Sequence, residues 1–366
     1  MKDKKSQIVS KLLFFALIVL TCVALWARSN VSTNKPNESQ ADGTPETQFQ
    51  SNGLSGLING LTGSKPNNTP AANETEIIQG ELTPILEIKD DETGEENLDP
   101  LLPDGSYLRV DYVDVGQADF ILVECDGHYM TIDGGNVADS QFVYSYLDQR
   151  GIDYLDYVVV THAHEDHCGA VSAILSKCQA GMVYSPVTTY STKAFSNVVK
   201  KAEEQGLDLT VPSAGDTFIV GSAECEIIGP VKEYSEPNDT SIVIRMQYGN
   251  TSYLFTGDAE ETAEKDILSA GYEVKADVLK VGHHGSNTST SYIWLRQVAP
   301  TYAVISSNKT EVPKYGHPHE STLSKLRDAD VTVFRTDMQG TITCVSDGES
   351  ITFTTERNAD ADTLAS

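Results

Sequence analysis

The sequence predicts an α/β sandwich in which two mixed β-sheets face each other and helices cover the outer sides. Three observations predict it. From residue 107 onward about a dozen short apolar strands alternate with helical stretches. Before that, between Trp26 and Tyr107, the only aromatic residue is Phe49, so the folding part is a single unit of about 262 residues. Within that unit each cluster of histidines and aspartates lies beside an apolar strand or a helix start, and the strand ends of one sheet gather along one edge.

Taken in order, the chain opens with Lys2, Lys4, Lys5 and Lys11 around the apolar run Leu12 to Ala27. This is the layout of a signal peptide or an uncleaved membrane anchor over residues 1–28. It predicts a protein that is secreted or held on the outer face of the cytoplasmic membrane. Residues 29–104 are rich in Asn, Ser, Thr, Gly, Pro and Glu and turn acidic from Glu81 to Asp99, the composition of a disordered tether. A folded domain over 105–356 and a disordered tail over 357–366 complete the division.

Inside the domain, YLRVDYVDV, ADFILVECD and HYMTID read as three strands with tight turns. VADSQFVYSYLDQRG reads as an amphipathic helix ending at Gly151, and LDYVVVT as a buried strand. Further strands are predicted at ECEIIG, TSIVIRMQYG, TSYLFTG, ADVLKVG, YAVIS, VTVFRT and GTITCV. Helices fall near 168–177, 191–205, 259–270, 290–298 and 320–328.

Charge narrows the functions. There are 26 Lys plus Arg against 53 Asp plus Glu, a net of −27; 8 and 15 of these precede residue 105, leaving 18 against 38 in the folded part. A surface of that sign repels polyanions, which disfavours a basic nucleic-acid-binding face and predicts no stable nucleic-acid partner, while a local cationic site could still act on a phosphate. Six cysteines lie far apart without a CxxC pair, so neither a disulfide scaffold nor a zinc ribbon is indicated.

The chemistry concentrates in VVVTHAHEDHCGA, where a buried strand runs into a loop carrying His162, His164, Asp166 and His167. Side chains alternate along extended backbone, so His162 and His164 can grip one cation while Asp166 and His167 turn toward a second position. Imidazole and carboxylate suit zinc and also manganese or iron. Three later segments can join them: TSYLFTGDAE with Asp258, LKVGHHGSNTS with His283 and His284, and YGHPHEST with His317 and His319.

These segments, with YVDVGQADFILVE, TIDGGN, PNDTSIVIRMQYGN and RTDMQG, resemble the metallo-β-lactamase superfamily, whose hallmark HxHxDH stands here as HAHEDH. More narrowly the sequence is similar to the metallo-hydrolase domain of the competence protein ComEC over nearly all of residues 107–350, with Ala118 where those relatives carry glycine. The resemblance implies the αββα fold and two divalent cations, zinc foremost and manganese as the alternative. No histidine lies between His167 and His283. The first site is therefore assigned His162, His164, the shared Asp258 and one of His283 and His284. The second takes Asp166, His167, Asp258 and one of His317 and His319.

Asp166, His284 and His319 are the candidate catalytic residues, a histidine left free by the metals being a proton donor, an orienter of a ligand or a substrate contact. The implied fold also has Asp133 orient the first histidine. Asp114, Gln117 and Asp119 would organise the turn beneath the site, and Asn238 and Ser241 steer a loop or substrate. Ser286 and Ser289 would hold an oxyanion or cap a helix, and Cys168 would be core. The implied activity is an exported phosphodiesterase or nuclease acting through water activated by two metals. Its substrate would be a phosphodiester such as extracellular DNA or wall-linked phosphorylcholine. The alternatives are a β-lactamase-like amide or ester hydrolase and a non-catalytic wall-associated metal-binding module.

Overall fold

A computed structural model of the chain describes residues 107–308 and 314–365. The predicted signal or anchor and the tether lie outside the described residues. Among the described residues fifteen strands form two mixed sheets. The first runs β15-β14-β1-β2-β3-β4-β5-β6 and the second β13-β12-β11-β10-β9-β8-β7. In chain order the first sheet takes β1 (Leu108–Tyr112), β2 (Ile121–Cys125), β3 (His128–Ile132), β4 (Tyr154–Val159), β5 (Gln179–Tyr184), β6 (Leu209–Thr210), β14 (Ile342–Ser346) and β15 (Ile351–Thr355). The second takes β7 (Thr217–Val220), β8 (Ala223–Gly229), β9 (Val243–Tyr248), β10 (Thr251–Phe255), β11 (Val278–Lys280), β12 (Tyr302–Ile305) and β13 (Thr332–Arg335).

Strand alternation builds the layers. Leu108, Val110 and Tyr112 of β1 and Tyr253 and Phe255 of β10 meet in the core between the sheets. Leu122 of β2 faces outward instead, with Val158 and Val160, onto the helices Ser140–Gln149, Val171–Lys177 and Lys193–Glu204. On the far side Leu254 and Leu279 face the helices Glu261–Ala270, Tyr292–Val298 and Glu320–Asp328. The result is the predicted sandwich of helix, sheet, sheet and helix. All five cysteines among the described residues are free and buried.

Pairing direction decides where function can gather. β3, β4 and β5 run parallel, as do β10, β11, β12 and β13. Their C-terminal ends therefore bring the turns after β3, β4, β10, β11 and β12 to a common edge. The antiparallel pairing of β1 with β2 returns the loop 113–120 to the same edge.

Four strands lie where the sequence predicts none: β5, β6, β7 and β15. β6 has two residues and β7 four, too short for a period to register. β5 contains Gly181, where an added Cβ would sit 2.7 Å from the Asp156 carbonyl oxygen. Close backbone approach, rather than an apolar pattern, identifies it. The predicted tail over 357–366 is corrected as far as residue 365. Arg335 Nη1 donates to the carbonyls of Thr363 (3.2 Å) and Ala365 (2.7 Å), and the Thr363 hydroxyl donates to the Val333 carbonyl (2.7 Å). A buried guanidinium needs acceptors, and the final residues supply them.

Candidate metal centre

The centre forms at that edge, from the innermost hydrogen bonds outward. Asp133, fully buried at the end of β3, accepts from the Thr161 amide (2.8 Å) and the Thr161 hydroxyl (2.7 Å). Its Oδ2 also lies 2.7 Å from His167 Nδ1. The expectation that Asp133 orients the first histidine is corrected: it holds His167. It reaches His162 only through Thr161, whose Oγ1 is 3.2 Å from His162 Nδ1. After His162 and His164 the chain enters the short helix Glu165–Cys168, so Asp166 and His167 leave the strand direction.

Asp258, 2% exposed after β10, is the hub. Its Oδ1 lies 3.2 Å from His167 Nε2 and 3.8 Å from His284 Nε2. Its Oδ2 lies 3.8 Å from His162 Nε2 and 3.7 Å from His283 Nε2. His164 Nδ1 is 3.0 Å from His162 Nε2, and Asp166 Oδ2 is 3.4 Å from His284 Nε2. Two half-sites thus share one carboxylate: His162, His164 and His283 on one side, Asp166, His167 and His284 on the other.

The second set differs from the expectation. His284, with its backbone in the left-handed region (φ 54°), stands where His317 or His319 was expected. Its Nδ1 is 3.0 Å from the Ser306 carbonyl, leaving Nε2 toward Asp166. His317 stands one ring further out, stacked on His284 at 6.3 Å, with Nδ1 3.1 Å from Gln117 Nε2. His319 is further still, its ring 4.8 Å from His317 and its Nδ1 accepting from the Asn287 amide (2.9 Å).

The donor set fits a cation. Asp258 Oδ1, His167 Nε2 and His284 Nε2 are buried without a hydrogen-bond partner although they converge, and a divalent ion is what would satisfy all three. His162, His167 and Asp258 form one set whose ligand atoms lie within 4.8 Å of one another, and Asp166, His167 and His284 form another, so His167 stands where the two half-sites meet.

Electrostatics of the metal-free centre follow from the same contacts. Burial would raise the Asp258 carboxyl, yet the His167, His284 and His283 rings hold it well below the usual range. Burial opposes protonation of His167, but Asp258 and Asp133 push it up; at His284 the carboxylates of Asp258 and Asp119 do the same. His162 goes down, through burial and then the neighbouring His167. Burial and the nearby histidines bring His317 down to about 4.

Sequence reasoning missed Lys280, 1% exposed on β11, whose Nζ donates to Asp119 Oδ2 (2.8 Å) and the Val281 carbonyl (3.1 Å). A lysine inside the run ADVLKVG was the available signal, since a buried ammonium requires a carboxylate. Asp119 Oδ1 in turn lies 3.6 Å from His284 Nδ1. Asp114 serves the turn itself, accepting the Gly116 amide (3.3 Å). Asn238 donates to Glu260 Oε1 (3.1 Å), and Ser241 Oγ accepts the Asp258 amide (3.1 Å). Ser291, rather than Ser286 or Ser289, caps the following helix by accepting the Trp294 amide (3.2 Å). Cys168 is buried, its thiol donating to the Ala163 carbonyl.

The chain is similar to several known proteins. The chain is 31% identical over 253 residues to ComE operon protein 3 of Bacillus subtilis, covering 64% of this chain and 32% of that protein. It is 32% identical over 241 residues to Recombination protein 2 of Haemophilus influenzae, covering 64% of this chain and 28% of that one. The chain thus spans about a third of the length of the curated relatives it matches. Among solved structures, the metallo hydrolase Igni18 of Ignicoccus hospitalis aligns at a TM-score of 0.45 and 18% identity, over 65% of this chain and 98% of that one. Residues 113–307 match the Metallo-beta-lactamase superfamily over the span that holds both half-sites, and the chain belongs to that superfamily.

Proposed function

We propose that this metallo-hydrolase is a two-metal phosphodiesterase acting outside the cytoplasmic membrane. The observation that carries the reading is the Asp258 carboxylate, one oxygen turned to each half-site. Two divalent cations, zinc or alternatively manganese, would supply Lewis acidity and water acidified to near neutrality.

The residues of the chain do the rest. His162, His164, His283 and Asp258 would hold one ion, and Asp166, His167, His284 and Asp258 the other. Asp133 fixes the ring of His167 through Nδ1, and the Ser306 carbonyl does so for His284, so that each presents Nε2. His319 accepts an amide proton at Nδ1 and, when neutral, carries its own proton on Nε2, from which it can protonate a leaving oxygen. Lys280 balances Asp119 beneath the centre.

A phosphodiester suits a site with two cations and a separate proton donor, and the similarity to ComE operon protein 3 and Recombination protein 2 favours it over a lactam. With 18 basic against 38 acidic residues in the folded part, the cations at the centre would have to draw an anionic substrate. Extracellular DNA and wall-linked phosphorylcholine are the two substrates to try first.

The test is turnover of bis(4-nitrophenyl) phosphate by protein stripped and then reloaded with zinc or manganese, beside a chromogenic cephalosporin. Metal-dependent diester hydrolysis is expected. Lactam hydrolysis without diester hydrolysis would overturn the reading. Export rests on residues 1–28, and recovery of the full chain in the cytosolic fraction would remove it. Among the described residues no helix is long and apolar enough to cross a membrane.

A further inference from the structure

We infer that Glu264 and Lys325, two buried ionisable side chains outside the ligand set, are positioning residues that clamp the segment carrying His283 and His284. The inference rests on the metal-centre reading above and concerns what holds that centre in place.

The segment is an unfavourable one. Between Gly282 and Ser291 three residues other than glycine have left-handed backbone: His283 (φ 50°), His284 (φ 54°) and Thr290 (φ 50°). Residues with a Cβ avoid this region unless the surroundings over-determine it. Two of the three carry the imidazoles that face Asp258. Whatever pins the segment therefore sets where those rings point.

The pins can be named. Glu264, 2% exposed on the helix Glu261–Ala270, accepts the Thr290 amide at Oε1 (2.5 Å) and the Ser291 amide at Oε2 (3.0 Å). Lys325, 7% exposed on the helix Glu320–Asp328, donates to the Ser289 carbonyl (3.0 Å). From the same helix the Thr322 hydroxyl donates to the Ser286 carbonyl (3.0 Å). Thr290 Oγ1 closes the segment on itself by accepting the Gly282 amide (3.2 Å).

Burying a carboxylate and an ammonium is costly, and both side chains direct hydrogen bonds to this one stretch of main chain. A packing role alone would be met by apolar residues. The helix of Glu264 also begins three residues after Asp258. The two ligand-bearing segments are zipped together along it: the His283 amide donates to the Gly257 carbonyl (3.1 Å) and the Glu261 amide to the Thr288 carbonyl (3.0 Å). Glu264 continues that zipper, fixing His283 and His284 relative to the shared carboxylate. Lys325 and Thr322 join the segment to the helix that follows His319.

The experiment measures zinc affinity and stoichiometry by competition with a chromogenic chelator, on the stripped full chain. Glu264→Gln keeps the size but turns an amide group against an N–H donor, and Lys325→Met removes the donor. Each is expected to weaken the more loosely held ion at least tenfold while the circular dichroism spectrum stays that of the parent. Lys325→Arg, which can still donate, should recover most of the affinity. Ile267→Val, a core change on the same helix, should lower the melting temperature and leave affinity within twofold.

Affinity within twofold of the parent in both Glu264→Gln and Lys325→Met would overturn the clamp. Equal weakening in Ile267→Val would overturn it too, as a general effect of stability. If Glu264→Gln does not fold, the comparison of Lys325→Met with Lys325→Arg decides. A parent chain that binds no zinc or manganese would sink the metal centre and the clamp together, which separates that failure from the failure of the clamp alone.

Discussion

Asp258 is the residue on which the proposed chemistry turns, because its two oxygens face different half-sites. A carboxylate at the start of a loop before a helix could instead serve as a cap, where Asn does about as well. The substitution Asp258→Asn separates the two: we expect loss of at least one ion by metal analysis and a rate drop of about a hundredfold or more. Near-normal metal content and rate would leave Asp258 a mere cap. Thr161 is a quieter case. Its hydroxyl donates to Asp133 and lies beside His162 Nδ1, so Thr161→Val should weaken metal binding about tenfold without changing the ligands, as read by chelator competition. His319→Ala should leave both ions bound and lower the rate by about a hundredfold. A parallel loss of metal would mean that His319 is a ligand after all.

Among the elements, the four-residue helix Glu165–Cys168 is held by contact rather than by length. It ends at Gly169, where an added Cβ would stand 2.4 Å from both the Glu165 carbonyl oxygen and the Val137 nitrogen. Those atoms are backbone and cannot swing aside. Gly169→Ala should therefore cost about 2–3 kcal/mol in a urea titration and displace Asp166 and His167 enough to lower metal content. Unchanged stability would show that the turn has room that this packing does not provide. The strands were legible where they were long and apolar, as at LDYVVVT and TSYLFTG. They were illegible where pairing partners, not side chains, made them: β6 is a strand because it lies beside β5.

For the whole molecule, Glu264 gives stability a pH dependence that can be isolated. Burial raises its carboxyl from the usual 4.5 to about 7, against the hydrogen bonds from Ser291 and Thr290 and the field of Lys325. The folded chain then binds more protons than the unfolded chain between these values. The stabilisation is full below about pH 4.5 and is lost as pH rises through about 7, by at most about 3 kcal/mol. Compared with the parent, metal-free Glu264→Gln should show a flatter fall in urea midpoint between pH 5 and 7.5. Parallel curves would remove Glu264 as the source. The C-terminal residues matter at this scale as well: deleting 358–366 takes two carbonyl acceptors from the buried Arg335 and should lower the melting temperature by several degrees.

What the sequence by itself determined was the class of fold, the edge where polar side chains gather and nearly every residue that the structure brings to the candidate metal centre. Alternating apolar residues dictate layers, and His162, His164, Asp166, His167 and Asp258 are polar residues at strand ends that no core would choose. What only the tertiary structure decided was that both His283 and His284 face the centre and that His317 and His319 stand outside it. His283 and His284 are adjacent in the chain, and their division between half-sites depends on two left-handed backbone angles. His317 and His319 both stand near the centre, but His284 occupies the inner position and leaves them the outer row. The partner of Lys280 was equally out of reach, because Asp119 lies 161 residues earlier and meets it only when the two sheets close on each other. Spacing along a chain constrains side chains that share an element; contacts between elements depend on the packing of the whole.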